Sequence, residues 1–516
     1  MKKFLIVVSI YFGVTGCTKN FLNTTPSDKV SDANFWKSDA DATAGVTAIY
    51  DQMQNNYQIY AFMPETEGIT PNGWIWSGYK NGYSAIAEGN LLPTVTTPVA
   101  DKWKQLYNGI YKANLAQEKI PAITMDGTLK NRLLAEARFL RALFYYNLAD
   151  YYGGVPIIRH TLALGADLPG RDPVADVLKF VTDECDSAAL YLPASYGAAD
   201  VGRATLGAAL TLKTRAFLLA RQYDKAAAAA MQVRNLGKYT LYTDYEKMFT
   251  TVAAENNSEV IFDVQYAAPG LGEGSPLDGL MAPLSSFSKG WDQIFPTQDL
   301  VDAYDMKTTG LPITDPASGY DPAHPYDNRD PRMDYTLVRP GASWKGIPYA
   351  NLQVGSSAGA YLGYLPRKHV LTVDGFNWGD SPLNFIVFRY ADVLLMYAEA
   401  QNEAVGPDAS VYAAIDSVRN RVGVGMPPIA AGKSQSEMRD IIRHERRIEL
   451  AFEGTYYSDI RRWQTAKSLM DGRIIKNISG GQLDVWHFTD ALYLWPIPQS
   501  EIDLNPKLTQ NDGYTK

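Results

Sequence analysis

Residues 434–463 read SQSEMRDIIRHERRIELAFEGTYYSDIRRW. Ser434 is placed to cap a helix, and Glu437 three residues on completes a capping box. Met438, Ile441, Ile448 and Phe452 recur at helical spacing and form one apolar stripe. Glu445 falls on that stripe, between Ile441 and Ile448. A carboxylate there needs a cation or several donors, because a bare charge against apolar neighbours is costly. Arg389, Arg443, Arg446, Arg461 and Arg462 are the candidates. Gly454 reads as the C-cap, and an aromatic, charged segment from Tyr456 to Trp463 follows. Glu445, Glu449 and Glu453 share a helix face. They are either an acid cluster of the kind a hydrolase uses or the carboxylate half of a structural Arg/Glu network. The number of arginines available to match them favours the network.

The chain has 516 residues, 46% of them hydrophobic and 20% charged, which describes a folded globular protein with a sizeable core. A net charge of -8 argues against nucleic acid as a partner. With 33 Tyr, 18 Phe and 10 Trp, some rings can face solvent as stacking platforms while most fill the core.

The N-terminus reads as a targeting segment. Met1-Lys2-Lys3 is a short positive region, and Phe4 to Val14 is an apolar run too short to span a bilayer as a permanent helix. It ends in Val14-Thr15-Gly16-Cys17, a bacterial lipobox. The expectation is a signal peptide over 1–16, acylation at Cys17 and a polar tether over 17–34. The remaining cysteine, Cys185, lies in the helical pattern Val177 to Leu190 and reads as a small core residue.

Helical patterns run from Ser38 to Met53, Asp101 to Ile120, Leu129 to Tyr152 and Pro173 to Leu192. Leu91 to Ala100 reads as a loop. Ala204 to Leu236 reads as two helices broken around Arg221 to Asp224, with alanines that let them pack closely, which is the tetratricopeptide-like hairpin pattern. Arg389 to Val422 repeats it with a break at Gly406-Pro407. The expected fold is mainly α, with tetratricopeptide-like helical repeats and a long loop-rich insertion. One domain over 35–516 would comprise a helical part at about 35–265, the insertion at about 266–384 and a second helical part at about 385–516. The insertion is rich in Gly, Pro, Asp and aromatics, and holds Trp291, Trp344 and Trp378; long loops of this kind carry function. A second aromatic patch is Pro71-Asn72-Gly73-Trp74-Ile75-Trp76-Ser77-Gly78-Tyr79-Lys80-Asn81-Gly82-Tyr83, where Gly and Asn set the rings on a turn.

The chain resembles the SusD/RagB family of surface lipoproteins of the Bacteroidetes over most of its length. The lipobox is followed by Asn20-Phe21-Leu22 and Pro26. Glu136 to Ala142 with Tyr152-Gly153-Gly154-Val155-Pro156 is similar to the family's central helix and its exit. Asn328-Arg329-Asp330-Pro331-Arg332 resembles its loop motif. Arg389 to Leu395 with Ala398-Glu399-Ala400, and Arg443 to Leu450 continuing to Trp463, resemble two further signatures. Pro496-Ile497-Pro498, Asn505-Pro506, Gln510-Asn511 and Gly513-Tyr514 resemble its ending. Thr455-Tyr456 departs from the pattern, where the family often has arginine. The resemblance implies a helical, cell-surface lipoprotein of the outer membrane. It would act as a lid on a SusC-like TonB-dependent transporter, capture an oligosaccharide and pass it to the pore, without catalysis.

Sugar rings pack their C–H faces on indole and phenol rings, while Asn and Lys hydrogen-bond the hydroxyls. Asn72, Trp74, Trp76, Tyr79, Lys80 and Tyr83 offer both kinds of group, at a position where several family members carry ligand-stacking aromatics. Trp344 and Trp378 are further candidates, and Trp291, beside Phe295-Pro296, reads as packed. No catalytic residue, cofactor or resident metal is expected. None of the histidines pairs at HExxH spacing. Asp327, Asp330 and Asp334 either ligate calcium through loop oxygens or cap turns. Asp392, Glu399 and Glu403 read as salt-bridge partners. Two alternatives stand beside glycan capture: a glycoside hydrolase or lyase on a helical scaffold, and a peptide-binding member of the same family.

Overall fold

The computed structural model describes residues 35–54, 60, 63–75, 82–267, 270–282, 290, 293–351, 363–371 and 379–514. Cys17, Trp76, Tyr79, Lys80, Trp291 and Trp378, together with the signal peptide and tether, lie outside the described residues. Among those described, no helix is long and apolar enough to cross a membrane.

The helical half begins with α1 (Asp39–Gln54), α2 (Asp101–Lys119), α3 (Gly127–Tyr152) and α4 (Val174–Ala189). The Asp126 carboxylate caps α3 by accepting from the Leu129 amide, and the helix stops at Gly153, whose φ of 76° is left-handed. α3 is the central column, packed on both α2 and α4. Gly109 lets α2 approach, since a Cβ there would overlap the Phe144 ring. α5 (Leu206–Leu219) and α6 (Tyr223–Asn235) form the first alanine-rich hairpin, and Ala208, Ala209, Ala216, Ala226 and Ala230 are buried in its contacts. The second hairpin, α7 (Tyr390–Val405) and α8 (Ala409–Arg419), packs beside the first through α6 and α7. α9 (Gln435–Glu449), α10 (Tyr456–Arg462) and α11 (Gln499–Leu504) complete the helices that matter here.

Strands are short. β1 (Ile69–Thr70), β2 (Gly73–Ile75) and β4 (Ile294–Pro296) make an antiparallel sheet in the order β1-β2-β4, with Ile69 opposite Trp74 and Trp74 opposite Phe295. β3 (Val260–Val264) pairs antiparallel with β5 (Phe385–Arg389), which runs straight into α7. Among the described residues, the stretch between β3 and β5 is otherwise turns, two-residue strands and short helices.

The capping box at Ser434 forms as expected. The apolar stripe is shifted: Ile442 is buried and Ile441 only partly, and α9 ends at Glu449, with Leu450 as its C-cap. Phe452, at φ 63°, and Gly454 belong to the turn that follows, and the His369 ring meets the Phe452 carbonyl at 3.0 Å. Burial drives the His369 pKa down to about 4, so the neutral ring donates there.

Glu445, Glu449 and Glu453 belong to a buried ionic network. Glu445 accepts from Arg332 Nη1 at 2.5 Å and Arg419 Nη1 at 2.8 Å. Glu449 accepts from Arg332, Arg389 and Arg421 at 2.7–2.9 Å. Glu453 takes Arg389 Nε at 2.7 Å and Lys368 Nζ at 2.8 Å. Glu259 holds Arg389 and Arg421 from the start of β3, and Asp330 holds Arg332. Five carboxylates, at 259, 330, 445, 449 and 453, thus meet five cations, at 332, 368, 389, 419 and 421, all buried. Of the five arginines expected beside Glu445, none binds it. Arg389 serves Glu449 and Glu453. Arg446 reaches Asp392 and Asp459, Arg461 reaches Asp150, and Arg462 reaches Glu399. Arg443 lies over the Trp463 ring. Neighbours on one helix point to different faces, so Arg446 turns away from Glu445, and α8 and the 329–332 loop supply the partners instead. Asp392, Glu399 and Glu403 are salt-bridged, as read from sequence, to Arg215, Arg462 and Arg439.

Burial alone would raise these acids. For Glu449 the guanidiniums of Arg389, Arg421 and Arg332 outweigh it and hold the carboxyl well below the usual range. Asp392, between Arg215 and Arg446, is held down to about 2 for the same reason. Removing one partner from such a site leaves uncompensated charge. Glu449→Gln is therefore expected to cost about 3–5 kcal/mol in urea unfolding. A loss below about 1 kcal/mol, the range of an exposed pair, would contradict a buried network. A carboxyl whose folded pKa is depressed stabilises above its unfolded value, about 4, and loses that contribution as pH falls through the folded value. Stability should hold on acidification to about pH 5 and then fall steeply toward pH 2, as read by circular dichroism, with a shallower fall in Glu449→Gln.

Candidate functional site

The aromatic patch is built on the hairpin β1–β2. Thr70 faces Gly73, so Pro71 and Asn72 form a two-residue turn. The turn is covered. The Asn72 carbonyl accepts from the Thr297 amide at 3.1 Å, and its side-chain oxygen accepts from Arg447 Nε of α9 at 2.7 Å. Its side-chain amide donates to Glu67 at 3.0 Å. Glu67 also accepts from the amides of Gly454 and Tyr456 at 3.1 and 3.4 Å. Burial pushes its carboxyl up to about 7 against the donors from Asn72, Tyr456 and Gly454.

The residues expected to face a ligand separate into two groups. Asn72 is fully buried, and Trp74 is 5% exposed. Trp74 lies on the middle strand of the sheet, with its ring 6.1 Å from Phe295 and its indole N–H donating to Asp484 at 3.3 Å. Tyr83 is buried at the start of a one-turn helix, edge-on to Trp495. Trp344 is 3% exposed, with the Lys345 ammonium 4.4 Å from its ring centre. The expectation of solvent-facing Asn72, Trp74, Tyr83 and Trp344 is thus corrected. The glycines and asparagines mark a turn, but β4, Thr297 and α9 close over it. Trp76, Tyr79, Lys80 and Trp378 lie outside the described residues; Trp76 directly follows Ile75, which is fixed opposite Ile294. Arg447, Glu67, Thr297 and Asp484 were not read as part of this patch. Arg447, Thr297 and Asp484 are distant in sequence, and Glu67, five residues before Asn72, lies outside the aromatic stretch.

The acidic loop does not gather a metal site. Asp330 spends both oxygens on Arg332 and caps its backbone amide, and Asp334 pairs with Arg339. Among the described residues no three His, Cys, Asp or Glu side chains come together to hold a metal ion.

A separate groove of about 880 Å³ opens between the C-terminal end of α3, α4, the α5–α6 turn and α10. Phe217, Arg221, Lys225 and Tyr493 line it. The Lys213 and Lys225 ammonium groups lie 5.7 and 5.8 Å from the centre of the Phe217 ring. Arg461, between the Tyr151 and Tyr457 rings, donates to the carbonyls of Asp150 and Tyr493. Its size is that of a small-ligand site, and its mix of ring and polar groups suits a hydroxylated ligand.

Two family models match the chain: the SusD family over residues 258–514, and a family described as starch-binding and associating with the outer membrane over residues 20–218. The SusD-like protein P38 of Formosa agariphila is 25% identical over 99% of this chain and 98% of its own length. The crystal structure of a SusD-like carbohydrate-binding protein from Bacteroides fragilis superposes with a TM-score of 0.83 at 29% identity, over 92% of this chain and all of that one. A laminarin-binding SusD-like protein shares the fold with a TM-score of 0.72 at 23% identity, over 93% of this chain and all of that one. The chain belongs to the SusD/RagB family of non-catalytic glycan-binding proteins associated with the outer membrane.

Proposed function

We propose that the protein captures oligosaccharides at the cell surface and delivers them to a SusC-like TonB-dependent transporter, held to the outer membrane by acyl chains on Cys17. The observation that carries the reading is the match to both family models, over residues 20–218 and 258–514. The relatives that bind starch and laminarin make glucans the first ligands to test. The ligand contacts proposed are Trp76, Tyr79, Lys80 and Trp378. Asn72, Trp74, Tyr83 and Trp344 are buried and belong to the frame instead. Support for this division comes from the geometry of β2. The strand is pinned by Arg447, Asp484 and β4, so the chain leaves for Trp76 from a fixed point.

A second reading rests on the groove beside α10, whose Phe217, Arg221 and Tyr493 could take the sugar instead. Calorimetry with laminarin and starch oligosaccharides separates the two. Trp76→Ala combined with Trp378→Ala is expected to weaken binding at least tenfold, or about 1.4 kcal/mol, with the melting temperature unchanged and no reducing ends released. Trp74→Ala is expected to cost about 3–5 kcal/mol of stability, as for any large core ring. Unchanged affinity in the double variant, together with loss in Phe217→Ala, would move the site to the groove. Labelled palmitate is expected in the wild-type protein and not in Cys17→Ala; label in the variant would overturn the anchor.

A further inference from the structure

Residues 159–170, Arg-His-Thr-Leu-Ala-Leu-Gly-Ala-Asp-Leu-Pro-Gly, join α3 to α4 and hold an apolar tip out from the molecule. Leu164 is fully exposed, Leu162 is 43% exposed and Leu168 is 38% exposed. Leu504 of α11, 74% exposed, precedes Asn505, whose side chain donates to the Pro169 carbonyl at 2.8 Å. The stem of this loop is braced. Glu118 at the end of α2 accepts from the Thr161 amide and hydroxyl, both at 2.7 Å. Asp172 accepts from the Ile157 amide at 2.7 Å, and within the tip the exposed Asp167 pairs with Lys507 at 2.6 Å. The tip turns at Gly165, φ 78°, with the Ala166 amide donating to the Ala163 carbonyl at 3.0 Å. Leucines on a braced support, with Arg159 exposed just before them, have the composition of an interfacial anchor, in which apolar groups enter the acyl boundary and a cation meets phosphates.

The direction of the chain names the surface. α1 runs antiparallel to α2: Gln52 reaches Gln105, and Lys112 reaches the Ala48 carbonyl. The first turn of α1 therefore lies toward the C-terminal end of α2, the end at which Glu118 holds Thr161. Asp39 follows Cys17 by 22 positions, so the two lie at most about 75 Å apart. The end of the molecule that carries the leucines is thus the one from which the chain leads back to Cys17.

We propose that the Leu162–Leu168 tip, with Leu504, inserts into the outer surface of the membrane as a second contact, orienting the body about its lipid anchor. The inference rests on acylation at Cys17. The test uses the full lipoprotein carrying Leu164→Cys. Cys185 is buried and Cys17 is acylated, so an environment-sensitive fluorophore labels position 164 alone. The protein is reconstituted in vesicles of phosphatidylethanolamine with a minority of phosphatidylglycerol. Flotation with the vesicles reports the anchor, and the fluorophore reports the tip, so the two readings fail separately. Emission should shift to shorter wavelength and be quenched by brominated acyl chains, and Leu162→Ser with Leu168→Ser should reduce both effects. Protein that floats while its label stays water-like and unquenched would overturn the proposal. So would a shift seen only in vesicles that also hold the transporter, which would assign the tip to a protein partner.

Discussion

The contact between Arg389 and Glu449 is the interaction on which the rest of the molecule depends. Arg389 stands where β5 becomes α7, and Glu449 closes α9. Around them, β3 contributes Glu259, the 329–332 loop contributes Asp330 and Arg332, α8 leads to Arg419 and Arg421, and the turn after α9 contributes Glu453. Charges removed from water survive only when each is matched, and here the five acids and five cations close on one another. Such a network cannot slide. Moving α9 by one turn would leave carboxylates facing apolar side chains, so the ions fix the register of the C-terminal helices against the β3–β5 pair.

The same helix carries that order to the proposed glycan-facing side. Arg447, two residues before Glu449, holds Asn72. Asn72 and the turn after α9 share Glu67. The hairpin β1–β2 is thereby tied to α9 by side chains that need no aromatic surface of their own. The rings at 74, 83 and 344 are buried, and the proposed ligand contacts are other residues.

The helices were legible because their signals are local. Alanine spacing, the break at Arg221–Asp224, Gly153 followed by Pro156, and the Ser434–Glu437 box each act within a few residues. Exposure of an aromatic is not local. Asn72-Gly73-Trp74 reads as a surface turn, and whether it is one depends on Phe295, Thr297 and Asp484, more than two hundred residues away. Pairing within the ionic network failed for the same reason. Glu445 was rightly read as needing cations, but Arg332 and Arg419 reach it through tertiary folding that no spacing encodes.

Hydrogen exchange with and without a bound glucan oligosaccharide tests the account most directly. Amides of α9, β3 and β5 are expected to exchange only through global unfolding in both states, with ligand-dependent protection confined to the segments around residues 76–83 and 372–379. Protection appearing instead along α4 and the α5–α6 turn, or ligand-induced loosening of α9, would contradict a frame fixed by buried charge that carries its ligand contacts on the segments attached to it.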